Sequence, residues 1–331
     1  MKRPWQDFSH VQSQSAVHGA RAVLPSDLVA LENYKKSERI ASCAGEDPLK
    51  ICVAYAQTSL IYDATGRIVQ ADPTHYTHAP RAERVNIFGL AYRSDAQLWL
   101  HRTLADIVVE AAIILHQSQG WTTVIFDGLR TVEAAFALYQ LATDDDIAQG
   151  LLALPGYSAH NKGLAVDSMM FDAEGREIDM GGHFDHTDMS TNMRHYAGER
   201  ISKRAKENRL IREAAFLQAA FSQDLLVAPL RNEFWDDRLP ENRADLWRVL
   251  DSAARVAGVP FTLDRASMEQ WSYNDFLAAW QGIFAGTEET LFSMLGVTHP
   301  PLKEKPEFYH GNYHPLYCRD LKSEGKHLTQ A

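Results

Sequence analysis

The chain has 331 residues, of which 45% are hydrophobic and 23% charged, a composition typical of an ordinary folded protein. Its formal net charge of −10 gives no overall attraction for nucleic acid, so we expect no nucleic-acid partner. No apolar run reaches the roughly 18 residues that a membrane-spanning helix requires, so we expect no membrane partner and a cytoplasmic location. Three widely separated cysteines predict neither a disulfide framework nor a zinc ribbon.

The predicted elements begin with a helix over residues 104–119, where apolar side chains recur at steps of three and four, the spacing of one buried helical face. The β-branched and aromatic run WTTVIF at 121–126 predicts a core strand, which a turn signal at 127–128 ends. A second helix is predicted over 131–142. Arg130 therefore stands at a junction between strand and helix, a rigid position from which to aim a side chain.

Further along, a buried strand is predicted over 164–171, and the segment EIDMGG at 177–182 predicts a hairpin-like partner for it. A long helix is predicted over 201–222. Beyond a soft boundary near Glu241 the pattern favours helices without strands, at 243–257, 273–284 and 288–295. The predicted organisation is an N-terminal arm or cap over 1–50, a catalytic domain over 51–240, and a helical extension with an irregular tail over 241–331.

His160 and Asp167 form the first candidate site. They lie seven positions apart, one at the end of a loop and the other on a predicted strand, with Gly163 allowing the chain to turn between them. An imidazole nitrogen and a carboxylate oxygen are both competent zinc ligands, but a catalytic zinc site needs a third protein ligand. The spacing alone leaves a second interpretation open, a solvent-facing loop histidine and a turn-capping aspartate.

A resemblance to a known family runs through several segments in the same order. The stretch SAHNKGLAVD at 158–167 resembles the S-x-H-x-x-G-x-A-[VI]-D signature of the D-alanyl-D-alanine dipeptidases, the vancomycin-resistance branch of the zinc DD-peptidases. Four further matches are NIFG at 86–89, IFDGLR at 125–130, MGGHFD at 180–185 and NRLIREAAF at 208–216. The resemblance implies an α+β fold of the Hedgehog/DD-peptidase type, a small antiparallel sheet flanked by helices, here with a C-terminal helical extension.

The family's last motif, E-W-W-H, is altered in this chain. The segment EFWD at 233–236 keeps the glutamate and the second aromatic residue but has Asp236 where the family has its third ligand histidine. A competing assignment, EQWS at 269–272, also lacks the histidine and lies farther from the preceding helix. We prefer the first assignment, in which Asp236 matches the third ligand by position only.

The resemblance implies a role for each matching residue. His160 and Asp167 would bind the metal ion. Glu233 would activate the metal-bound water as general base and pass its proton to the leaving amine. Arg130 would stabilise the tetrahedral oxyanion. Non-catalytic interpretations stay open for both candidates, because Arg130 could pair with a surface acid and Glu233 could lie on an exposed loop.

Two further residues would contact the substrate. The resemblance implies that Ser158 touches it and that Asp185 pairs with the free ammonium group of a dipeptide. Asp185 stands beside His183, His186 and Asp188, a group that is either a solvated loop or a source of a substitute ligand.

The carboxylate at position 236 has a predictable consequence for the metal. Two carboxylates and one imidazole leave a zinc site formally neutral, so the ion polarises its water less than in strong zinc hydrolases. Such a set also suits Mn²⁺ or Fe²⁺, so the predicted cofactor is Zn²⁺ or another divalent metal. Without metal, the like charges of Asp167, Asp236 and Glu233 would raise one another's pKa values.

These residues predict metal-dependent hydrolysis of a short peptide, most simply a D-Ala-D-Ala-type dipeptide related to cell-wall peptidoglycan. The alternative is a repurposed family member, in which loss of the histidine leaves a pocket that binds a peptide or amino-acid-like ligand without cleaving it. The sequence leaves the oligomeric state open.

Overall fold

The computed structural model describes the chain in segments: residues 27–31, 47–51, 98–130, 132, 135, 139, 152–182, 201–231, 233–242, 245–262 and 265–285. The strands are β1 (Leu28–Ala30), β2 (Leu49–Ile51), β3 (Trp99–His101), β4 (Thr122–Asp127), β5 (Ala165–Phe171), β6 (Ala228–Pro229) and β7 (Asp236–Arg238). The α-helices are α1 (Arg102–Gln119), α2 (Lys203–Phe221), α3 (Leu246–Ala257) and α4 (Tyr273–Phe284).

Five strands form one sheet in the order β2-β4-β5-β7-β6. The β2 and β4 strands pair parallel, whereas the other neighbours in this sheet pair antiparallel. The β1 and β3 strands form a separate antiparallel pair. Helices and a small, mostly antiparallel sheet therefore make up the described fold, as expected for the α+β class.

Helices α1 and α2 confirm the two longest helical predictions. The face of α1 that the apolar spacing predicted is buried, and its C-terminus is closed by Gly120 in the left-handed conformation. Along α2 every side chain from 211 to 221 is buried, so the C-terminal part of this helix is enclosed on all sides by protein. The predicted helix over 131–142 is described at positions 132, 135 and 139, which are helical and buried, while 288–295 lies outside the described residues.

The predicted strands over 121–126 and 164–171 are present as β4 and β5, but EIDMGG does not form a strand. Only Glu177 makes a bridge, to Phe171. The next carbonyl groups accept hydrogen bonds from side chains of α2 instead of a neighbouring strand: Asn208 donates to Asp179 O (2.8 Å) and Arg209 to Met180 O (2.5 Å). These contacts satisfy the backbone without a ladder, which explains the difference.

The core lies between the sheet and the helices, and the C-terminal helices contribute to it. Phe221 of α2 contacts Trp280 of α4 edge-on, with ring centroids 4.1 Å apart. Arg255 of α3 forms an ion pair with the fully buried Glu213 of α2. Within the part of the chain that the structure describes, no helix is both long and apolar enough to cross a membrane.

Candidate metal centre

Three aspartates lie side by side across the middle of the five-stranded sheet. Asp127 of β4 pairs with Asp167 of β5, and Asp167 pairs with Asp236 of β7. Directly opposed residues on antiparallel strands point to the same face of a sheet, and like charges in such pairs are destabilising. This row of aspartates, all buried, therefore requires positive charge nearby.

A bulge in β4 brings the first aspartate into the row. Ile125 pairs with Ser168, yet the next paired residue is Asp127 rather than Phe126, so the register shifts at this point. Without the extra residue, Phe126 would face Asp167. Such a bulge re-aims a side chain at the end of a strand, and here it places a carboxylate beside the site.

His160 reaches the row from a 3-10 turn over Ala159–Lys162. The hydroxyl of Ser158 caps this turn by accepting the backbone N–H of His160 (3.2 Å). Gly163 ends it in the left-handed conformation, at φ 69°. The imidazole Nδ1 lies 2.8 Å from the carbonyl oxygen of Gly128, which accepts only, so Nδ1 carries a proton and donates. This bond fixes the ring and directs Nε2 towards the aspartates.

Two carboxylates converge on Nε2. Asp167 Oδ1 lies 3.6 Å from it and Asp236 Oδ2 lies 3.8 Å from it. Among the described residues, Asp167 Oδ1 has no hydrogen-bond partner although it is buried. A buried carboxylate oxygen without a partner is costly, and a cation bound between it and Nε2 would satisfy both atoms.

Each end of the row is paired with an arginine. Arg130 donates from Nε to Asp127 Oδ2 (2.9 Å) and forms a second, closer contact through Nη2. Arg238 donates from Nε to Asp236 Oδ1 (3.2 Å) and from Nη2 to Oδ2. The two nitrogens of Arg130 share one oxygen of Asp127, whereas Arg238 engages both oxygens of Asp236, the two-pronged geometry that a guanidinium group favours with a carboxylate. The central Asp167 has no such arginine partner among these contacts.

Among the described residues, the compact grouping of possible ligands contains Asp127 in place of Asp236. One ligand atom each from Asp127, His160 and Asp167 lie within 4.8 Å of one another. Asp127 Oδ2, however, faces the Nδ1 side of the ring, at 3.9 Å, where the Gly128 carbonyl already holds the proton. Asp127 Oδ1 accepts the Gly128 N–H (2.9 Å). Asp127 therefore supports Arg130 and His160, whereas Asp167 and Asp236 are the carboxylates that face Nε2.

The electrostatics of the site differ from one carboxylate to the next. Burial lowers the pKa of His160, but the nearby carboxylates of Asp167 and Asp236 outweigh burial and raise it to about 10. Burial and the charge of Asp236 raise the pKa of Asp167 against the pull of His160. Burial opposes ionisation of Asp236, yet Arg238 and His160 hold its pKa below the usual range. The like-charge effect predicted from sequence therefore acts on Asp167, while Arg238 overcomes it at Asp236.

The charges around the site favour a divalent cation. The group contains four carboxylates and two guanidinium groups: Asp127, Asp167, Asp236, Glu233, Arg130 and Arg238. When the imidazole is neutral, as a metal-binding histidine must be, their net charge is −2, which one divalent cation would balance. Nitrogen and oxygen donors of this kind suit Zn²⁺, Mn²⁺ or Fe²⁺. The residues present therefore fit a metal ion.

The other predicted site residues lie at or near this group where the structure describes them. Arg130 is buried and forms an ion pair with Asp127. Glu233 is partly buried, with Oε2 3.9 Å from Arg238 Nη2, and its backbone carbonyl accepts the N–H of Asp236 (2.9 Å). The competing Glu269 has no described side chain. Asp185 also lies outside the described residues, as do His183, His186 and Asp188.

Sequence reasoning did not assign Asp127 and Arg238 to the site. Asp127 registered only as part of a turn signal, although its spacing of three from Arg130 permits an ion pair across a tight turn. Arg238 lies two positions after Asp236 on the same strand, so both point to one face. This alternation of side chains along a strand, with a period of two, was the sequence signal that could have placed Arg238 beside Asp236.

Comparison with known proteins gives a similarity to a peptide hydrolase. The chain is 28% identical over 156 residues to the D-alanyl-D-alanine dipeptidase of Escherichia coli (strain K12), a match that covers 47% of this chain and 74% of that protein. No family model matches the chain.

Proposed function

We propose that the chain is a distant member of the D-alanyl-D-alanine dipeptidase family and a metal-dependent hydrolase of short peptides, with a D-Ala-D-Ala-type dipeptide as the preferred substrate. The observation that carries this proposal is the convergence of Asp167 Oδ1 and Asp236 Oδ2 on His160 Nε2, with Asp167 Oδ1 buried and without a partner among the described residues. The similarity to a curated dipeptidase supports the choice of substrate class.

His160, Asp167 and Asp236 would hold the ion. A divalent metal, when bound there, supplies a Lewis acid that polarises a carbonyl group and lowers the pKa of water. The imidazole must lose its Nε2 proton to bind the ion, and the bond from Nδ1 to the Gly128 carbonyl keeps the other proton in place. The two carboxylates make this set less electrophilic than a set with two histidines, so Mn²⁺ or Fe²⁺ are alternatives to Zn²⁺.

Glu233 and Arg130 would perform the remaining chemistry. Glu233 is partly exposed and lies near Arg238, the partner of Asp236, and its carboxylate would take up a proton as general base and return it to the leaving amine. Arg130 is held by Asp127, so its orientation is fixed before substrate binds, as an oxyanion-stabilising group requires. Ser158 at the cap of the turn and Asp185 would contact the peptide, the latter through the substrate's ammonium group.

A turnover assay tests this function. The chain loaded with Zn²⁺ or Mn²⁺ should release alanine from D-Ala-D-Ala, and Glu233→Gln should lose about 10²- to 10⁴-fold in kcat, the usual contribution of a general base. Glu241→Gln is the matched control, because Glu241 pairs with Lys162 and lies outside the aspartate row. No turnover with either metal, or full activity of Glu233→Gln, would contradict the proposed mechanism.

The alternative is a protein that binds such a peptide without cleaving it. The observation in its favour is the two-pronged contact of Arg238 with Asp236, which neutralises the third carboxylate without any metal. Calorimetry of the chelator-treated protein with D-Ala-D-Ala distinguishes the two functions. Saturable binding with no alanine released under any metal loading would favour the binder, whereas metal-dependent release of alanine would exclude it.

A further inference from the structure

The two arginines that pair with the aspartate row differ in whether a metal ion at His160 Nε2 would need the carboxylate that each one binds. Arg130 engages Asp127 Oδ2, which lies on the Nδ1 side of His160. Arg238 instead engages Asp236, which faces Nε2. Only the second arginine therefore holds a carboxylate that a metal ion bound at Nε2 would also need.

Asp236 Oδ2 is the atom that both Arg238 and a metal ion would contact. It lies 3.8 Å from His160 Nε2 and also accepts a close hydrogen bond from Arg238 Nη2, while Oδ1 accepts from Arg238 Nε at 3.2 Å. Both oxygens of this buried carboxylate are thus engaged by one guanidinium group. A metal ion at the same oxygen would face a fixed positive charge a few ångströms away, and such charges repel strongly where water is excluded.

Arg238 has a second carboxylate close by. Its Nη2 lies 3.9 Å from Glu233 Oε2, and its side chain is 25% exposed, whereas that of Asp236 is 1% exposed. The guanidinium group therefore stands at the outer edge of the site, between a buried acid and a partly exposed one. The guanidinium group can lose its contact with Asp236 and still lie close to the negative charge of Glu233.

We propose that Arg238 is an internal cation that competes with the metal ion for Asp236, so that it balances the carboxylates of the metal-free protein and weakens metal binding. This inference rests on the proposed function, because it concerns the same site. It adds a regulatory property: metal occupancy depends on displacing an arginine and responds to the concentration of free metal. The competing interpretation is a positioning role, in which Arg238 orients Asp236 for the metal as outer-sphere partners commonly do.

The two interpretations predict opposite signs for one substitution. Competition predicts that Arg238→Gln, which keeps a polar side chain but removes the charge, binds Zn²⁺ at least tenfold more tightly. Positioning predicts weaker binding, by about 10- to 100-fold. Arg238→Lys keeps the charge but loses the two-pronged contact, so competition places its affinity between those of wild type and Arg238→Gln.

The experiment measures the Zn²⁺ dissociation constant of the full chain by competition with a chromophoric chelator. Arg176→Gln is the control, because Arg176 forms an exposed pair with Asp172 on a distant turn, and its affinity should equal that of wild type. Melting temperatures give a second readout. Metal-free Arg238→Gln should melt lower than wild type, since Asp236 loses its partner, and zinc should raise its melting temperature by more than it raises that of wild type.

Each outcome has a defined meaning. If wild type binds Zn²⁺ and Arg238→Gln binds it equally or more weakly, this inference is wrong and the proposed function stands. If no variant binds metal, both are wrong. If Arg238→Gln does not fold, Arg238→Lys decides: tighter binding than wild type supports the competition, and equal or weaker binding overturns it.

Discussion

The orientation of His160 depends on a single backbone contact. Its Nδ1 donates to the carbonyl of Gly128, and Gly128 can occupy that place only because it has no side chain. A Cβ there would lie 2.9 Å from the carbonyl oxygen of Trp99 and equally close to side-chain atoms of Leu98 and Leu100. The glycine in the turn after β4 thus serves the site as well as the turn.

Gly128→Ala should therefore shift the turn and displace the imidazole. We expect a lower melting temperature and a loss of zinc affinity of tenfold or more, since the backbone oxygen of Trp99 cannot move aside as a flexible side chain would. Gly282→Ala is the control, because a Cβ at that position in α4 meets nothing within 4 Å and should stabilise the helix by about 0.5–1 kcal/mol. Unchanged zinc affinity in Gly128→Ala would show that this contact does not position the ring.

Ser158 has a structural role beside its predicted contact with substrate. Its hydroxyl accepts the N–H of His160 at the start of the 3-10 turn. Ser158→Ala should cost about 1 kcal/mol in the free energy of unfolding, as for other capping residues. If Ser158 also contacts the substrate, Ser158→Ala should raise KM as well. Ser158→Thr should largely restore KM because threonine keeps the hydroxyl. If stability falls while KM stays at the wild-type value, the serine is a cap alone.

At the scale of elements, β7 separates two functions on its two faces. Asp236 points into the candidate site, while the next residue, Asp237, forms a buried ion pair with Arg212 of α2. Arg212 also donates to Ser168 of β5 (2.8 Å) and to the carbonyl of Trp235 (2.9 Å). One guanidinium group therefore holds β5 and β7, two neighbouring strands of the aspartate row, in register.

Removal of one partner of this pair should be more harmful than removal of both. Arg212→Met leaves Asp237 buried and without its counter-charge, so we expect a loss of about 3–5 kcal/mol in the free energy of unfolding. The double variant Arg212→Met, Asp237→Leu should recover much of that loss, because it removes the buried charge along with its partner. Denaturant titrations of both variants measure this, and a double variant no more stable than Arg212→Met would contradict it.

The sequence predicted the elements better than their contacts. Regular apolar spacing was sufficient for α1, α2 and α4, because a buried helical face has a fixed period. The aspartate row could not be predicted, since it depends on strand register and on a bulge that brings Asp127 opposite Asp167. The EIDMGG segment resembled a strand in composition, but side chains of α2 took its hydrogen bonds, a competition that no local pattern shows.

At the scale of the molecule, helices α3 and α4 contribute to the core around α2 in the part of the chain that the structure describes. Trp280 of α4 packs against Phe221, and Arg255 of α3 pairs with Glu213, which is fully buried. The sequence prediction of a separate helical extension after Glu241 stays a prediction. These contacts nevertheless indicate that α2 depends on α3 and α4 for part of its packing.

Truncation after Glu241 should therefore prevent folding. The shortened chain would expose the apolar faces of α2 and leave Glu213 without its partner, so we expect no cooperative thermal transition. Trp280→Ala provides a milder test in the full chain and should cost about 3–5 kcal/mol in the free energy of unfolding. A truncated chain that melts cooperatively near the wild-type temperature would show that the central segment is an independent domain.

The central claim is that one divalent cation binds on the Nε2 side of His160, between two aspartates of the row. The most direct measurement is anomalous diffraction at the zinc edge from crystals of the zinc-loaded protein. Our account predicts a single peak about 2.0–2.2 Å from His160 Nε2 and from one oxygen each of Asp167 and Asp236. The absence of a peak there, or a peak bound by Asp127 on the Nδ1 side, would contradict it.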